Sequence, residues 1–88
     1  MEPRTYVVEI LGAARREMRR IAHPEQDRLR TAIGALSTNP RPAGCVKLRG
    51  GEDLWRIRVG NYRVVYQIID ERLVVLIVRV RHRREAYR

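Results

Sequence analysis

The spacing of apolar residues changes along the chain, and each spacing predicts a different element. Thr5 to Ile10 is rich in β-branched and aromatic residues and predicts a first strand. From Gly12 to Ala22 the apolar residues Ala14, Met18 and Ile21 fall at i, i+4 and i+7. Arg15, Arg16, Glu17, Arg19 and Arg20 lie mostly outside that stripe, which predicts an amphipathic helix. His23-Pro24 interrupts it, and Pro24 suits the first turn of a second helix. Glu25, Gln26 and Asp27 follow, placing acidic side chains at the positive end of the helix dipole. Leu29, Ile33 and Leu36 form the second stripe, with Ala32 beside it.

Ser37 to Gly44 is loop chemistry, Val46 to Leu48 can form a short strand, and Gly50 to Asp53 reads as a turn. Leu54 to Val59 and Tyr62 to Ile69 are two strands joined by Gly60-Asn61, a connection that tight hairpins favour. A last strand, Leu73 to Val80, follows a turn at Asp70-Glu71-Arg72. The order β-α-α-β-β-β predicts one α+β domain spanning residues 1–88. A helical hairpin should pack on one face of a mostly antiparallel sheet.

The two-residue loop fixes a register. Val59 is expected opposite Tyr62, Ile57 opposite Val64 and Trp55 opposite Tyr66, all on the face that packs on the helices. The other face then carries Arg58 opposite Arg63 and Arg56 opposite Val65. Like charges placed directly opposite one another cost stability, so this cluster points to an anion between them or to a solvated sheet face. The second hairpin has two candidate registers. A two-residue turn sets Val78 opposite Arg63. A three-residue turn sets Arg79 there and sends Arg79, Arg81 and Arg83 towards the basic face, and it is the preferred choice.

Charge sharpens this picture. Nineteen basic residues oppose ten acidic ones, for a net charge of +9, and Lys47 is the one lysine. A GC-rich genome accounts for arginine in place of lysine, but the excess itself points to a polyanion such as nucleic acid. Guanidinium offers a planar fork of donors that matches phosphate. No stretch has the roughly 18 consecutive apolar residues of a membrane helix, and the start Met-Glu-Pro-Arg-Thr lacks the order of a signal peptide. One cysteine, Cys45, forms no internal disulfide, so a cytoplasmic protein is expected, with no membrane partner. One cysteine and two separated histidines fall short of a metal-ligand set, so neither a metal nor a cofactor is expected.

The ordered set Lys47-Leu-Arg-Gly50, Trp55-Arg-Ile-Arg58, Tyr62-Arg-Val-Val-Tyr66, Ile69-Asp-Glu71 and Val80-Arg-His-Arg-Arg-Glu-Ala-Tyr87 resembles the RelE toxins of the RelE/ParE toxin–antitoxin superfamily. The resemblance covers nearly the whole chain. It implies a ribosome-dependent endonuclease that cuts mRNA in the A site through attack by the RNA's own 2′-OH. It also implies a cognate acidic, RelB-like antitoxin that holds the toxin in a hetero-oligomer. By the same resemblance Arg56 and Arg58 line the active site, where well-studied members carry lysines. Arg63 contacts the scissile phosphate, and Arg83 and Tyr87 match a C-terminal catalytic pair.

Cleavage by an internal 2′-OH needs a base, a stabiliser for the phosphorane and an acid for the leaving oxygen. Arginine suits the second task and not the first. His82 can act as acid or base, because imidazole titrates near neutrality, or simply close a strand end. Tyr87 can act as an acid, stack on a base or cover the core. Glu52 and Asp53, in a turn, are weaker candidates for the base; Glu85 suits an ion pair, and His23 a structural role. Lys47, Arg49 and Arg81 are expected to contact RNA. The basic helix surface of Arg15, Arg16, Arg19 and Arg20 can grip rRNA phosphates or remain solvated, with Arg15 and Arg19 expected to contact RNA. Two other functions fit less well: a ParE-like poison of DNA gyrase, and a non-catalytic RNA-binding member of the superfamily.

Overall fold

The computed structural model describes residues 5–50 and 53–86. Strand β1 (Val7–Ile10) leads into helix α1 (Gly12–Arg19) and helix α2 (His23–Ala35). Strands β2 (Val46–Lys47), β3 (Leu54–Val59), β4 (Tyr62–Ile69) and β5 (Val74–His82) follow, and a four-residue helix, α3 (Arg83–Ala86), ends the described chain. The strands form one sheet in the order β1-β5-β4-β3-β2. β1 runs parallel to β5 and every other pair is antiparallel. This is the expected α+β architecture with its helical hairpin.

The core lies between the helices and one sheet face. Ala14 and Met18 of α1 and Leu29 and Ile33 of α2 are buried, as is Leu36 just after α2. They meet Ile57, Val64, Tyr66, Ile68, Val75, Ile77 and Val80 from the sheet, so both predicted stripes do pack inward. Gln26, in the first turn of α2, is buried among them. Its Nε2 donates to the Met18 carbonyl at 2.7 Å, a second bond beside the one from the Ile21 N–H, and ties α2 to the end of α1.

Two contacts pin the loop that follows α2. The fully buried Tyr66 hydroxyl donates to the Pro40 carbonyl at 2.8 Å, and Arg41 forms an ion pair with Asp70 at 2.8 Å.

The β3–β4 register is the predicted one: Val59 faces Tyr62, Arg58 faces Arg63, and Arg56 faces Val65. Gly60 adopts φ +58°, the left-handed value a two-residue hairpin turn needs.

The β4–β5 register matches neither expectation and is corrected here: Arg63 lies opposite Arg81, not Val78 or Arg79. Two features produce the shift. The connection is four residues long, a 3-10 turn at Asp70–Arg72 closed by Leu73 in the left-handed region at φ +54°. In addition, Tyr66 pairs with Ile77 whereas Val65 pairs with Arg79, so Val78 is an extra residue in a β-bulge. Without the bulge the four-residue turn alone would set Val80 opposite Arg63. The extra residue returns Val80 to the core and puts Arg79 and Arg81 in line with the arginines of β3 and β4.

Candidate active site: an arginine cleft at the end of the sheet

Register places Arg58, Arg63 and Arg81 side by side across three adjacent strands, on the face away from the helices. Arg56 and Arg79 flank Val65 one step along the same face. Residues directly opposite one another in antiparallel strands have Cβ atoms about 5 Å apart, so Arg56, Arg58 and Arg63 start from one surface, whereas the Arg79 and Arg81 side chains turn round the β5 edge to bond Glu17 of α1.

Arg83 joins them through the backbone. Its N–H donates to the Asn61 carbonyl at 2.7 Å, which adds a rung to the ladder and seats the start of α3 against the Gly60-Asn61 turn. Arg58, Arg63 and Arg83 then line a cleft of about 120 Å³ together with Gly60, Asn61 and Tyr62.

Other predicted site residues lie elsewhere. His82 pairs with Tyr62, on the face that meets the helices, and the two rings pack edge to face at 5.3 Å. Its Nδ1 accepts the Arg84 N–H at 3.2 Å, and it lines a neighbouring hollow with Asn61, Arg83 and Arg84. Lys47 pairs with Trp55, so it too lies on the helix side, where it and Arg41 approach the indole ring at 6.0 and 5.1 Å. Arg49 is exposed in the turn after β2. Arg15 donates from Nε to the Ile10 carbonyl at 2.9 Å and, with Arg19, lines a hollow beside Met18, Gln26 and Arg30. Tyr87, Glu52 and the side chain of Glu85 lie outside the described residues. Asp53 is exposed. Among the described residues no group of three or more His, Cys, Asp or Glu side chains could hold a metal ion.

One residue that matters here has no signal in the sequence. Glu17 on α1 reads as a solvated helix charge, yet it accepts bonds from Arg79 Nη2 at 2.8 Å, from the Val80 N–H at 2.8 Å and from Arg81 Nε at 3.4 Å. Burial pushes its carboxyl up. The Arg79 and Val80 hydrogen bonds and the charge of Arg79 more than offset that, so it titrates below the usual glutamate range. Its partners stand over sixty residues away, and no local pattern reports them.

A family profile described as "ParE toxin of type II toxin-antitoxin system, parDE" matches residues 8–87. The mRNA interferase toxin RelE of Escherichia coli (strain K12) is 33% identical over 86 residues, covering 93% of this chain and 90% of that protein. The chain belongs to the RelE family of the RelE/ParE toxin superfamily. Solved structures agree. The archaeal RelE–RelB complex from Pyrococcus horikoshii OT3 superposes with a TM-score of 0.81 at 27% identity, covering 90% of this chain and 96% of that one. The RelBE2 toxin–antitoxin complex from Mycobacterium tuberculosis gives 0.78 at 30% identity, covering 92% and 94%. In RelE terms the arginine cleft occupies the hairpin and C-terminal segment that carried the sequence resemblance. No helix among the described residues is long and apolar enough to cross a membrane.

Proposed function

We propose that this RelE-family chain is a ribosome-dependent mRNA endonuclease of the cytoplasm, and that the Arg58–Arg63–Arg83 cleft holds the scissile phosphate. Three arginines lining one small cleft are the observation that carries this reading. The RNA's own 2′-OH attacks the adjacent phosphorus, giving a 2′,3′-cyclic phosphate and expelling the 5′ oxygen. Charge builds on the phosphorane oxygens, where forked, permanently charged donors stabilise it most. Arg56 extends the positive field along the same face, and Arg81 extends it round the β5 edge.

None of these arginines can take the 2′-OH proton. His82, next to Arg83, is the proposed proton-handling side chain among the described residues of the C-terminal segment. While Nδ1 accepts the Arg84 N–H, the neutral ring carries its proton on Nε2 and can hydrogen-bond an RNA oxygen; to protonate the leaving oxygen the ring must first take up a proton at Nδ1, which releases the Arg84 N–H. Tyr87 is the second proposed donor. Positioning supplies much of the rest, since in-line placement of reactants is worth roughly 7–11 kcal/mol. In this reading the ribosome provides it by fixing the codon.

The partner is an acidic, RelB-like antitoxin. It covers the arginine face or displaces the Arg81–Arg88 segment, and toxin and antitoxin form a hetero-oligomer. Two of the structural relatives are solved as toxin–antitoxin complexes, which supports this.

Primer extension on mRNA from cells expressing the chain tests the nuclease. Cuts within translated codons are expected, and Arg63→Ala or Arg83→Ala should reduce cleavage by roughly 10²–10³-fold each. The same mRNA without ribosomes should stay intact. A ParE-like activity is the second reading, favoured by the description of the matched profile; intact mRNA together with a DNA-damage response would establish it and remove the nuclease.

A further inference from the structure

The arginine cleft does not end at Arg83. Asn61 and Arg83 also line the hollow that contains His82 and Arg84. His82 in turn lines a third hollow, of about 550 Å³, between α1 and the end of β5. There Arg79, Arg81 and Tyr62 from the sheet face Arg16 and Arg20 from α1. Shared residues make the path continuous, so a basic track leaves the outer face, rounds the end of the sheet and enters the helix side.

The third hollow is costly to build without a ligand. Arg16 and Arg20 stand at i and i+4, a like-charge pair that disfavours a helix by about 0.2–0.5 kcal/mol, and they face two further arginines. Glu17 is the one carboxylate lining the hollow among the described residues, and it binds Arg79 and Arg81. A single carboxylate against four guanidinium groups leaves the hollow strongly positive.

We infer that this track carries single-stranded RNA beyond the cleavage point. The strand bends round the end of β5, and Arg16 and Arg20 hold phosphates flanking the cut. The edge-to-face pair of Tyr62 and His82 offers an aromatic surface at the bend. Single-strand binders combine a basic groove with aromatic side chains in this way. A flexible sugar–phosphate backbone can change sheet face within a few units, whereas an acidic helix is straight and fills one hollow at a time. The inference takes its ligand from the ribonuclease reading.

The test uses the full chain and a labelled, 2′-O-methylated oligouridylate of roughly 12 nucleotides, which cannot be cleaved. Anisotropy titrations across a salt series compare Arg16→Glu/Arg20→Glu with Arg28→Glu/Arg30→Glu on α2. The second variant changes net charge equally at exposed positions that do not line the track. The first variant should lose more than about tenfold in affinity and flatten the log–log salt slope by about 1.4, the value for two lost single-strand phosphate contacts. The control should change by less than about threefold. Equal losses in both variants overturn the track, because bulk charge then suffices. An unchanged RNA affinity with weakened binding of the acidic antitoxin also overturns it. Should the first variant fail to fold, Arg16→Gln/Arg20→Gln carries the same comparison with Arg28→Gln/Arg30→Gln. The two readings fail separately: normal codon cleavage with unchanged oligonucleotide binding sinks only the track, and intact cellular mRNA with lost binding sinks only the nuclease.

Discussion

Replacing Glu17 by alanine should destabilise the protein well beyond what a helix-surface substitution usually does. β1 ends at Ile10, opposite Ile77, and β5 runs on to His82. Glu17 reaches that uncovered stretch. One carboxylate oxygen takes the Val80 N–H at 2.8 Å, and the other takes Arg79 Nη2 at the same distance. The glutamate side chain is 21% exposed and that of Arg79 39%. Partial exposure of Arg79 brings their ion pair down to about 1 kcal/mol. Leaving the Val80 N–H without its acceptor costs about another 1 kcal/mol. The longer contact to Arg81, itself 44% exposed, adds little.

A loss of about 2 kcal/mol lowers Tm by roughly 8–16 °C in a domain of this size. Glu17→Gln keeps an oxygen for Val80 and should lose about half as much. The pH dependence carries a sign. The carboxyl titrates below its ordinary value of 4.5, so its stabilisation is fully present above that value. As pH falls through the depressed folded value the charge-dependent part disappears, and the gap between wild type and Glu17→Ala should narrow by about half, because the neutral carboxyl still offers an oxygen to the Val80 N–H. Circular-dichroism melts at neutral pH and near pH 3 measure both effects. A variant within about 2 °C of wild type at neutral pH, or a gap undiminished in acid, would show that the Glu17 charge does not hold the end of β5.

Two further substitutions probe the frame around the cleft. Tyr66→Phe strands the Pro40 carbonyl and should cost about 1–2 kcal/mol in urea unfolding. Burial raises the Tyr66 pKa well above 10.0, so the stability tied to its protonation holds below that value and is lost as pH rises further. In an alkaline titration followed by absorbance, this phenol should ionise only with unfolding, and normal titration in the folded state would contradict its burial. Gly60→Ala puts a side chain on a left-handed backbone at φ +58° and should cost about 1 kcal/mol. Gly60→Asn should recover part of that, and a neutral Gly60→Ala would show that the turn can relax.

The hairpin that carries Arg58 and Arg63 was legible from sequence because its loop has two residues and its strands alternate cleanly. Period and turn length together leave one register. β5 was not legible in the same way. A buried strand written Val74-Val-Leu-Ile-Val78 has no alternation to reveal a bulge, and the left-handed Leu73 lacks the glycine that advertises such a turn. Arg81 therefore could not be placed opposite Arg63 in advance. The positions of Lys47 and His82 depend on which face a short or terminal strand segment presents, and a single residue of register decides that. Glu17 was invisible for another reason: its partners come from the far end of the chain, and its helix offered it an unremarkable place in solvent.

The sheet is closed off by unequal borders. On one side the described β2 offers two residues. On the other β1 offers four, and past its end the glutamate already occupies the Val80 amide. Among the described residues neither border gives another copy a long row of open amides and carbonyls on which to stack. Protection of this kind resists fibrillar association, and mutual repulsion between molecules of charge +9 works in the same direction.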